Sequence, residues 1–320
     1  MKRPADPLDK TLAAVDAMQL PVSARAVTAA DLLTMELPAR ELILSPWLPV
    51  QGLAMVYAPR GVGKTFFALN IAYAVASGGK FLSWSAPEAH RVLYLDGEMP
   101  ANVMQARLAG IVRAAESDAE DDSLKIITPD LQGDQPMPDI STNAGQKAIE
   151  PHLEGVSLVI VDNISTLCRR GVENDAESWI PIQQWALRLR SRGISVLFIH
   201  HAGKGGAQRG TSKREDVLDT VICLKRPADY SPDQGAAFSV HFEKNRGFTG
   251  EEAEPLDVAL AETPAGLQWT WRKLEASTYQ KVIELTNEGL SQADIARELE
   301  VARSTISRHI RTAKSKGALQ

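Results

Sequence analysis

The sequence has little cysteine, no long apolar run and no excess of basic residues. Its two cysteines, Cys168 and Cys223, lie far apart with no second thiol near either, which argues against a disulfide framework or a zinc cluster. No apolar stretch reaches membrane-spanning length, and none follows the charged N-terminus as in an export signal. We therefore expect a cytoplasmic protein without a membrane partner.

Lysine and arginine number 35 against 40 aspartate and glutamate, which gives a formal net charge of −5. This balance argues against a surface that is basic throughout, but it leaves room for nucleic acid because the local distribution of charge decides binding. Apolar residues make up 44% and charged residues 23%, as is typical of globular proteins. A length of 320 residues fits one large domain and a small one.

One stretch has the composition of a phosphate-binding loop. Apolar residues 53–58 predict a buried strand, a glycine-containing turn follows, and Lys64 begins an apolar helix that ends near Ser77. Small residues allow backbone N–H groups to surround phosphates, Lys64 can reach the β- and γ-phosphates, and the Thr65 hydroxyl can bind Mg²⁺. The alternative is a turn that binds nothing. We predict an ATP site made by Ala58, Pro59, Arg60, Gly61, Val62, Gly63, Lys64, Thr65 and Phe66, with Ala58 replacing the first glycine of G-x-x-x-x-G-K-[ST].

Carboxylates end two further apolar runs. Asp162 closes the run 158–162 and can support the Mg²⁺ that bridges the phosphates; the alternative is a cap for the next turn. Glu98 lies just beyond the run 91–96, at the strand end where such sheets bind ligands, so it can orient the attacking water. Asp96 is a competitor for that role, and either residue can instead cap the helix after Pro100.

His200 and His201 end the run 195–201, and side chains of adjacent strand residues point to opposite faces, so the two make a poor metal pair. We favour His201 as the residue that senses the γ-phosphate, against a strand-end histidine without function. The next loop is glycine-rich and basic, and it predicts contacts to single-stranded DNA; its alternative is a solvated loop. Its bases are Lys204, Arg209, Lys213 and Arg214, and Arg169–Arg170 form a weaker candidate.

Alternation of apolar runs with amphipathic stretches predicts an α/β fold with a mostly parallel central sheet and an antiparallel end, because the last runs lack helices between them. Residues 1–40 predict a flexible arm with a short capped helix from Thr28, or an arm that packs on a neighbouring subunit. The predicted strands are 53–58, 91–96, 124–128, 158–162, 195–201, 221–225, 237–244, 256–260 and 268–272. The predicted helices are 64–77, 101–115, 144–153 and 177–192.

These residues resemble the RecA-like P-loop ATPases, and among them the hexameric replicative helicases and plasmid-encoded RepA-type helicases, over residues 39–273. Asp96-Gly-Glu-Met-Pro100 is similar to the turn that carries their catalytic glutamate, and Phe198-Ile-His-His-Ala-Gly-Lys-Gly205 to a His-His-Ala-Ser-Lys-Gly stretch. Phe242-Glu-Lys-Asn-Arg-Gly247 resembles the Lys-x-Arg element that such rings insert into the neighbouring subunit's ATP site. The resemblance implies that Lys244 and Arg246 act in trans and that the protein forms a homo-hexamer around single-stranded DNA. The alternative for both bases is a solvated strand end.

The C-terminal segment no longer shows apolar strand patterns. Residues 278–287, 291–299 and 304–316 predict three short helices, with Ser291 and Ser304 as N-caps, and the segment 301–320 carries five bases and no acid. The pattern resembles a helix-turn-helix domain, although Glu300 replaces the glycine usual in the turn. Its alternative is a helical module for protein contacts. The predicted contacts to duplex DNA are Arg303, Ser304, Thr305, Ser307 and Arg308.

Together these features predict an arm (1–40), an ATPase domain of the RecA-like fold (41–273) and a helix-turn-helix domain (276–320). The expected function is that of an ATP-hydrolysing, Mg²⁺-dependent motor on DNA, a hexameric helicase of a plasmid or other mobile element. The alternatives are an ATP-switched DNA-binding regulator and a helicase-loading factor without unwinding activity. A metabolic kinase is disfavoured, because nothing indicates a small-molecule acceptor pocket.

Overall fold

The computed structural model describes residues 25–37, 40–169, 176–203, 215–227 and 230–319, and the chain divides into two units between Ala39 and Arg40. The described part of the first unit contains one short helix, α1 (Ala29–Thr34). The Thr28 hydroxyl oxygen accepts a hydrogen bond from the Asp31 N–H at 3.1 Å, so Thr28 caps this helix as the sequence predicts.

Within the described residues, the second unit contains a nine-stranded sheet and two separate pairs of short strands. Its strands are β1 (Leu42–Leu44), β2 (Leu48–Pro49), β3 (Leu53–Ala58), β4 (Lys80–Phe81), β5 (Trp84–Ser85), β6 (Arg91–Asp96), β7 (Leu124–Ile127), β8 (Val156–Asp162), β9 (Ser195–His201), β10 (Thr220–Lys225), β11 (Ala237–Asn245), β12 (Leu256–Thr263) and β13 (Gly266–Lys273). Its helices are α2 (Lys64–Ser77), α3 (Ala101–Ala114), α4 (Asn143–Ile149), α5 (Ile164–Leu167), α6 (Ala176–Ser191), α7 (Leu274–Asn287), α8 (Gln292–Glu298) and α9 (Arg303–Ser315).

The strand order in this nine-stranded sheet is β13-β12-β11-β10-β3-β9-β8-β6-β7. Strands β10, β3, β9, β8, β6 and β7 are parallel to their neighbours, whereas β11, β12 and β13 add to the β10 edge in antiparallel pairs. The prediction of a mostly parallel sheet with an antiparallel end is therefore confirmed. Each of the predicted strands and helices is present, with its ends within about four residues of those expected.

Both faces of the parallel strands are covered, which explains why β3 and β9 read as unbroken apolar runs. Val56 and Ala58 belong to the apolar cluster on the α2 face, whereas Met55 and Tyr57 belong to the cluster on the α6 face. Because side chains alternate along a strand, consecutive residues at the end of β9 also point to opposite faces. This alternation decides which side chains reach the end of the sheet where α2 begins.

The C-terminal helices form a small unit with its own apolar core. Helix α7 begins directly after β13, four residues before the predicted start, and packs against β12 and β13. Ser291 caps α8 by accepting the Asp294 N–H at 3.2 Å, as predicted. The prediction that Ser304 caps the last helix is wrong, because α9 begins at Arg303 and Ala302 occupies the cap position. The core of the three-helix unit is formed by Val282, Ile283, Ile295, Ile306, Ile310, Ala313 and Leu319.

Candidate nucleotide site

The loop between β3 and α2 has the conformation that phosphate binding requires. Gly61 and Gly63 have positive φ angles of 74° and 119°, a region that favours glycine. Gly63 is also the N-cap of α2, so the free N–H groups of the first helical turn point into the loop. Its missing side chain leaves room, because a Cβ atom there would lie 3.0 Å from the Ala236 Cβ atom.

Ala58 fits the loop although the pattern expects glycine there. It is the last residue of β3, pairs in parallel register with His201 and is fully buried. Its φ angle is not among the positive ones, so an alanine at this position carries no backbone strain. Its carbonyl oxygen accepts a hydrogen bond from Lys64 Nζ at 3.0 Å.

Lys64 is held inside the loop by backbone carbonyl groups. Besides Ala58, the Pro59 carbonyl accepts a bond from Lys64 Nζ at 2.8 Å. Burial lowers the pKa of Lys64 to about 8, against the opposing effect of the Asp162 and Glu98 carboxylates. The buried ammonium group therefore attracts strongly any anion that enters the loop.

Asp162 at the end of β8 is fully buried beside the start of α2. Its carboxylate accepts hydrogen bonds from the Tyr94 hydroxyl at 2.6 Å and from the Thr65 hydroxyl. Burial raises the pKa of Asp162 to about 6, and the two hydroxyl groups act against that rise. A carboxylate and a hydroxyl next to a phosphate loop are oxygen ligands of the kind that Mg²⁺ prefers, so these residues fit the metal.

Asp96 and Glu98 follow β6 but differ in their contacts. Asp96 is buried and accepts hydrogen bonds from the Met99 N–H at 3.1 Å and from the Thr128 hydroxyl at 2.8 Å. It therefore fixes the turn that precedes α3, whereas the cap position of that helix is occupied by Pro100. Glu98 remains half exposed, and its carboxylate lies 3.8 Å from Nε2 of His201. Of the two carboxylates, Glu98 is the one available to a water molecule.

The two histidines at the end of β9 point to opposite faces, as the alternation requires. His201 lines the cleft with Lys64 and Glu98, and burial lowers its pKa, with Lys64 adding to this effect. Within the described chain its buried Nδ1 atom has no hydrogen-bond partner. His200 is fully buried and does not line the cleft.

These side chains surround one cleft of about 700 Å³, within the range of small-molecule sites. Glu98 and His201 come from strands on one side of β3, which places them toward one end of the cleft, and the loop between β10 and β11 on the other side places Tyr230, Gly235 and Ala236 toward the other end. Arg226 spans this second end, because its guanidinium lies 4.3 Å from the centre of the Tyr230 ring and donates to the Gly61 carbonyl at 2.6 Å.

Sequence reasoning missed Arg107 and Tyr230, which both line the cleft. The Arg107 guanidinium stacks over the Phe66 ring at 4.1 Å, and burial lowers its pKa. Helix α3 brings Arg107 there by packing on α2 and β13, at a position where a Cβ on Gly110 would lie only 2.7 Å from Leu267. No local pattern separates Arg107 from Arg113, the exposed base of the same helix.

Lys244 and Arg246 lie at the opposite end of the strands, near the amino ends of β10 and β3. Lys244 pairs with Val221 at the start of β10, and Val221 pairs with Met55, three residues before the end of β3. Lys244 Nζ donates to the Glu215 carbonyl, and burial lowers its pKa. The structure therefore does not bring these two bases to the cleft of their own chain.

The remaining candidates lie elsewhere. Lys204, Arg209, Lys213, Arg214 and Arg170 are outside the described residues, whereas Arg169 donates to the Met137 carbonyl at 2.5 Å. Arg303, Ser304, Thr305, Ser307 and Arg308 are all on α9. No helix in the described ranges is long and apolar enough to cross a membrane.

The sheet and the loop define a P-loop ATPase of the RecA-like fold. A family model described as an AAA domain matches residues 19–207, and the chain belongs to that family. Among solved structures, it is similar to a KaiC-like protein from the hyperthermophilic archaeon Pyrococcus horikoshii OT3, with a TM-score of 0.50 and 14% sequence identity. The match covers 71% of this chain and 93% of that one, and at this identity it establishes the fold alone.

Proposed function

We propose that the protein hydrolyses ATP as a DNA-associated motor built from a ring of identical subunits. Lys64 and the N–H groups of the loop hold the phosphates, while Thr65 and Asp162 hold Mg²⁺. Bound by these residues, Mg²⁺ would neutralise negative charge on the phosphates. Glu98 orients the attacking water and accepts its proton, and His201 contacts the γ-phosphate from the opposite strand end.

The observation that carries this proposal is the position of two groups of residues at opposite ends of the strands of one sheet. The phosphate, metal and water residues lie at the carboxyl ends of β3, β6 and β8, whereas Lys244 and Arg246 lie near the amino ends of β10 and β3. In a ring of subunits, Lys244 and Arg246 of one chain would lie against the phosphate site of the next chain. Lys244 and Arg246 would then stabilise the charge on the neighbour's γ-phosphate, a contribution worth about 10³–10⁵ in rate in related chemistry.

We place the DNA in the channel of such a ring, which we take to be a hexamer, and take Lys204, Arg209, Lys213 and Arg214 as the residues that contact it. The proposed division of labour is an arm (1–40), an ATPase domain (41–273) and a DNA-binding three-helix domain (276–320). In this reading the protein is a helicase of a plasmid or other mobile element.

Two measurements test the proposal. ATP hydrolysis is measured with no DNA, with single-stranded DNA and with duplex DNA at matched salt, and we expect strong stimulation by single strands. Arg246→Ala subunits are then titrated into wild-type protein. If neighbouring subunits share the ATP site, the activity of the mixture falls more steeply than its fraction of wild-type subunits. An activity proportional to that fraction contradicts action in trans.

A second candidate is an ATP-switched DNA-binding regulator or helicase-loading factor. The three-helix unit favours it, because a motor on single strands has no evident need for a basic helix at its C-terminal end. Unwinding of a forked substrate separates the two. A regulator leaves the fork intact and has its ATPase stimulated by duplex DNA, by a partner protein, or by neither.

A further inference from the structure

Helix α9 carries a row of polar and basic side chains along one side, of which Arg303, Arg311 and Lys314 are exposed and Ser307 is half-buried. Arg303, Ser307, Arg311 and Lys314 follow each other at spacings of four, four and three residues, which places them along one side of a helix. The adjoining side of the helix is buried through Ile306, Ile310 and Ala313. We call Arg303, Ser307, Arg311 and Lys314 the basic row.

Arg308 is on the same helix but is paired with a carboxylate. Its Nη2 atom lies 2.7 Å from Oε1 of Glu275 in the first turn of α7. Both side chains are more than half exposed, at 62% and 64%, so this pair contributes little to stability. Its effect is on the surface charge, because Glu275 neutralises a base on the exposed side of α9, next to Arg311 of the basic row.

The position of Glu275 is fixed from the ATPase sheet. Two residues later, the Ser277 hydroxyl donates to the Asp257 carboxylate of β12 at 2.7 Å. At the start of α7, the Leu274 N–H donates to the Pro255 carbonyl at 2.8 Å. The first turn of α7 is thus tied to the sheet on both sides of Glu275.

We propose that the basic row binds the phosphates of duplex DNA and that Glu275 restrains this binding by holding Arg308. This inference rests on the proposed DNA binding by the three-helix unit. A helix of 13 residues is about 20 Å long, and the major groove, about 12 Å wide, admits it. The short side chains of Ser304 and Ser307 permit close approach to base edges.

Duplex DNA is favoured over a single strand by the chemistry of the exposed side of α9. Recognition of single strands relies on aromatic side chains on which bases stack. The exposed residues of α9 are Arg303, Ser304, Arg308, Arg311, Lys314 and Ser315, and the described residues of this helix include no exposed aromatic ring.

The test measures duplex DNA binding by the full chain with fluorescence anisotropy over a range of salt. Glu275→Gln frees Arg308 for one more phosphate, so we expect about five- to tenfold tighter binding at 0.1 M salt and a salt slope steeper by about 0.9. The gain should vanish in Glu275→Gln with Arg308→Gln. Arg311→Gln should weaken binding, whereas Arg308→Gln alone should change it little.

Glu284→Gln is the matched control, because it removes one negative charge from the exposed side of the same helix nine residues further on. If both variants bind duplex DNA more tightly by the same factor, the change in net charge explains the effect, and the proposed role of Glu275 is overturned. If the wild type binds duplex DNA but Glu275→Gln does not bind it more tightly, only the restraint fails. If none of the proteins binds duplex DNA at low salt, or if single strands bind better through the basic row, the proposed DNA contact of α9 fails as well.

Discussion

His201 Nε2 lies 3.8 Å from Glu98 Oε1, across a cleft to which the two residues come from different strands. Strand β8 lies between β6 and β9 in the sheet and carries Asp162 at its end. The ends of three adjacent parallel strands thus place the water-orienting, metal-supporting and phosphate-contacting candidates in one row. A change at a γ-phosphate bound between Glu98 and His201 would alter contacts at the ends of both β6 and β9.

The half-exposed carboxylate of Glu98 predicts a separation of hydrolysis from binding. Glu98→Gln removes the base but keeps size and polarity, so we expect hydrolysis to fall by at least about a hundredfold. ATP affinity should stay close to that of the wild type, because Lys64 and the loop are untouched. Hydrolysis and fluorescent nucleotide binding are measured side by side, with Glu88→Gln, an exposed residue away from the cleft, as the control. Turnover at the wild-type rate would remove Glu98 from the mechanism.

The lowered pKa of Lys64 predicts that nucleotide affinity depends on pH. In the free protein burial places this pKa at about 8, and bound phosphates raise it by favouring the charged form. Binding therefore takes up a proton above pH 8, so affinity is highest below pH 8 and falls as pH rises through and beyond it. Calorimetry at pH 7, 8 and 9, in buffers of different ionisation enthalpy, gives both affinity and proton uptake. An affinity that stays constant over this range, without proton uptake, would contradict the assignment.

The sequence permits prediction of the parts of the site that depend on local chemistry. The phosphate loop, the turn after Asp96 and the end of β8 each combine an apolar run with a few residues of known chemistry, and each forms as expected. Arg107 and Tyr230 escaped prediction because their place in the cleft depends on how α3 and the loop after β10 pack. Contacts between segments far apart in the chain leave no local pattern.

Tyr230 predicts where the base of the nucleotide lies. Its ring lines the cleft at the end away from Glu98, is stacked by Arg226 and is fixed through its hydroxyl, which donates to the Gly235 carbonyl at 2.9 Å. Stacking of a base on an aromatic ring is worth about 1–3 kcal/mol. Tyr230→Ala should therefore weaken ATP binding by roughly 5- to 160-fold, while binding of inorganic tripolyphosphate stays unchanged. Tyr230→Phe keeps the ring and serves as the control; equal losses for ATP and tripolyphosphate would argue against a base contact.

The turn between α8 and α9 shows why Glu300 can replace the expected glycine, and what this costs. Glu300 has a φ of 50°, the left-handed conformation that glycine adopts readily. The Val301 N–H bonds to the Ala296 carbonyl at 3.1 Å and the Glu300 N–H to the Arg297 carbonyl at 3.4 Å, which is the hydrogen-bond pattern of a glycine-ended helix. The turn thus keeps its geometry with a strained residue.

Glu300→Gly should relieve that strain and stabilise the three-helix unit. The left-handed conformation costs an L-residue about 1–2 kcal/mol, and the greater freedom of glycine in the unfolded chain offsets part of this, which leaves a gain of about 0.5–1 kcal/mol. Hydrogen exchange of the α8 and α9 amides measures the change within the full chain. Glu298→Gly makes the same substitution two residues earlier, at the last residue of α8, whose conformation is helical and where glycine should destabilise the helix. If both variants shift protection in the same direction, the conformation of Glu300 does not carry the effect.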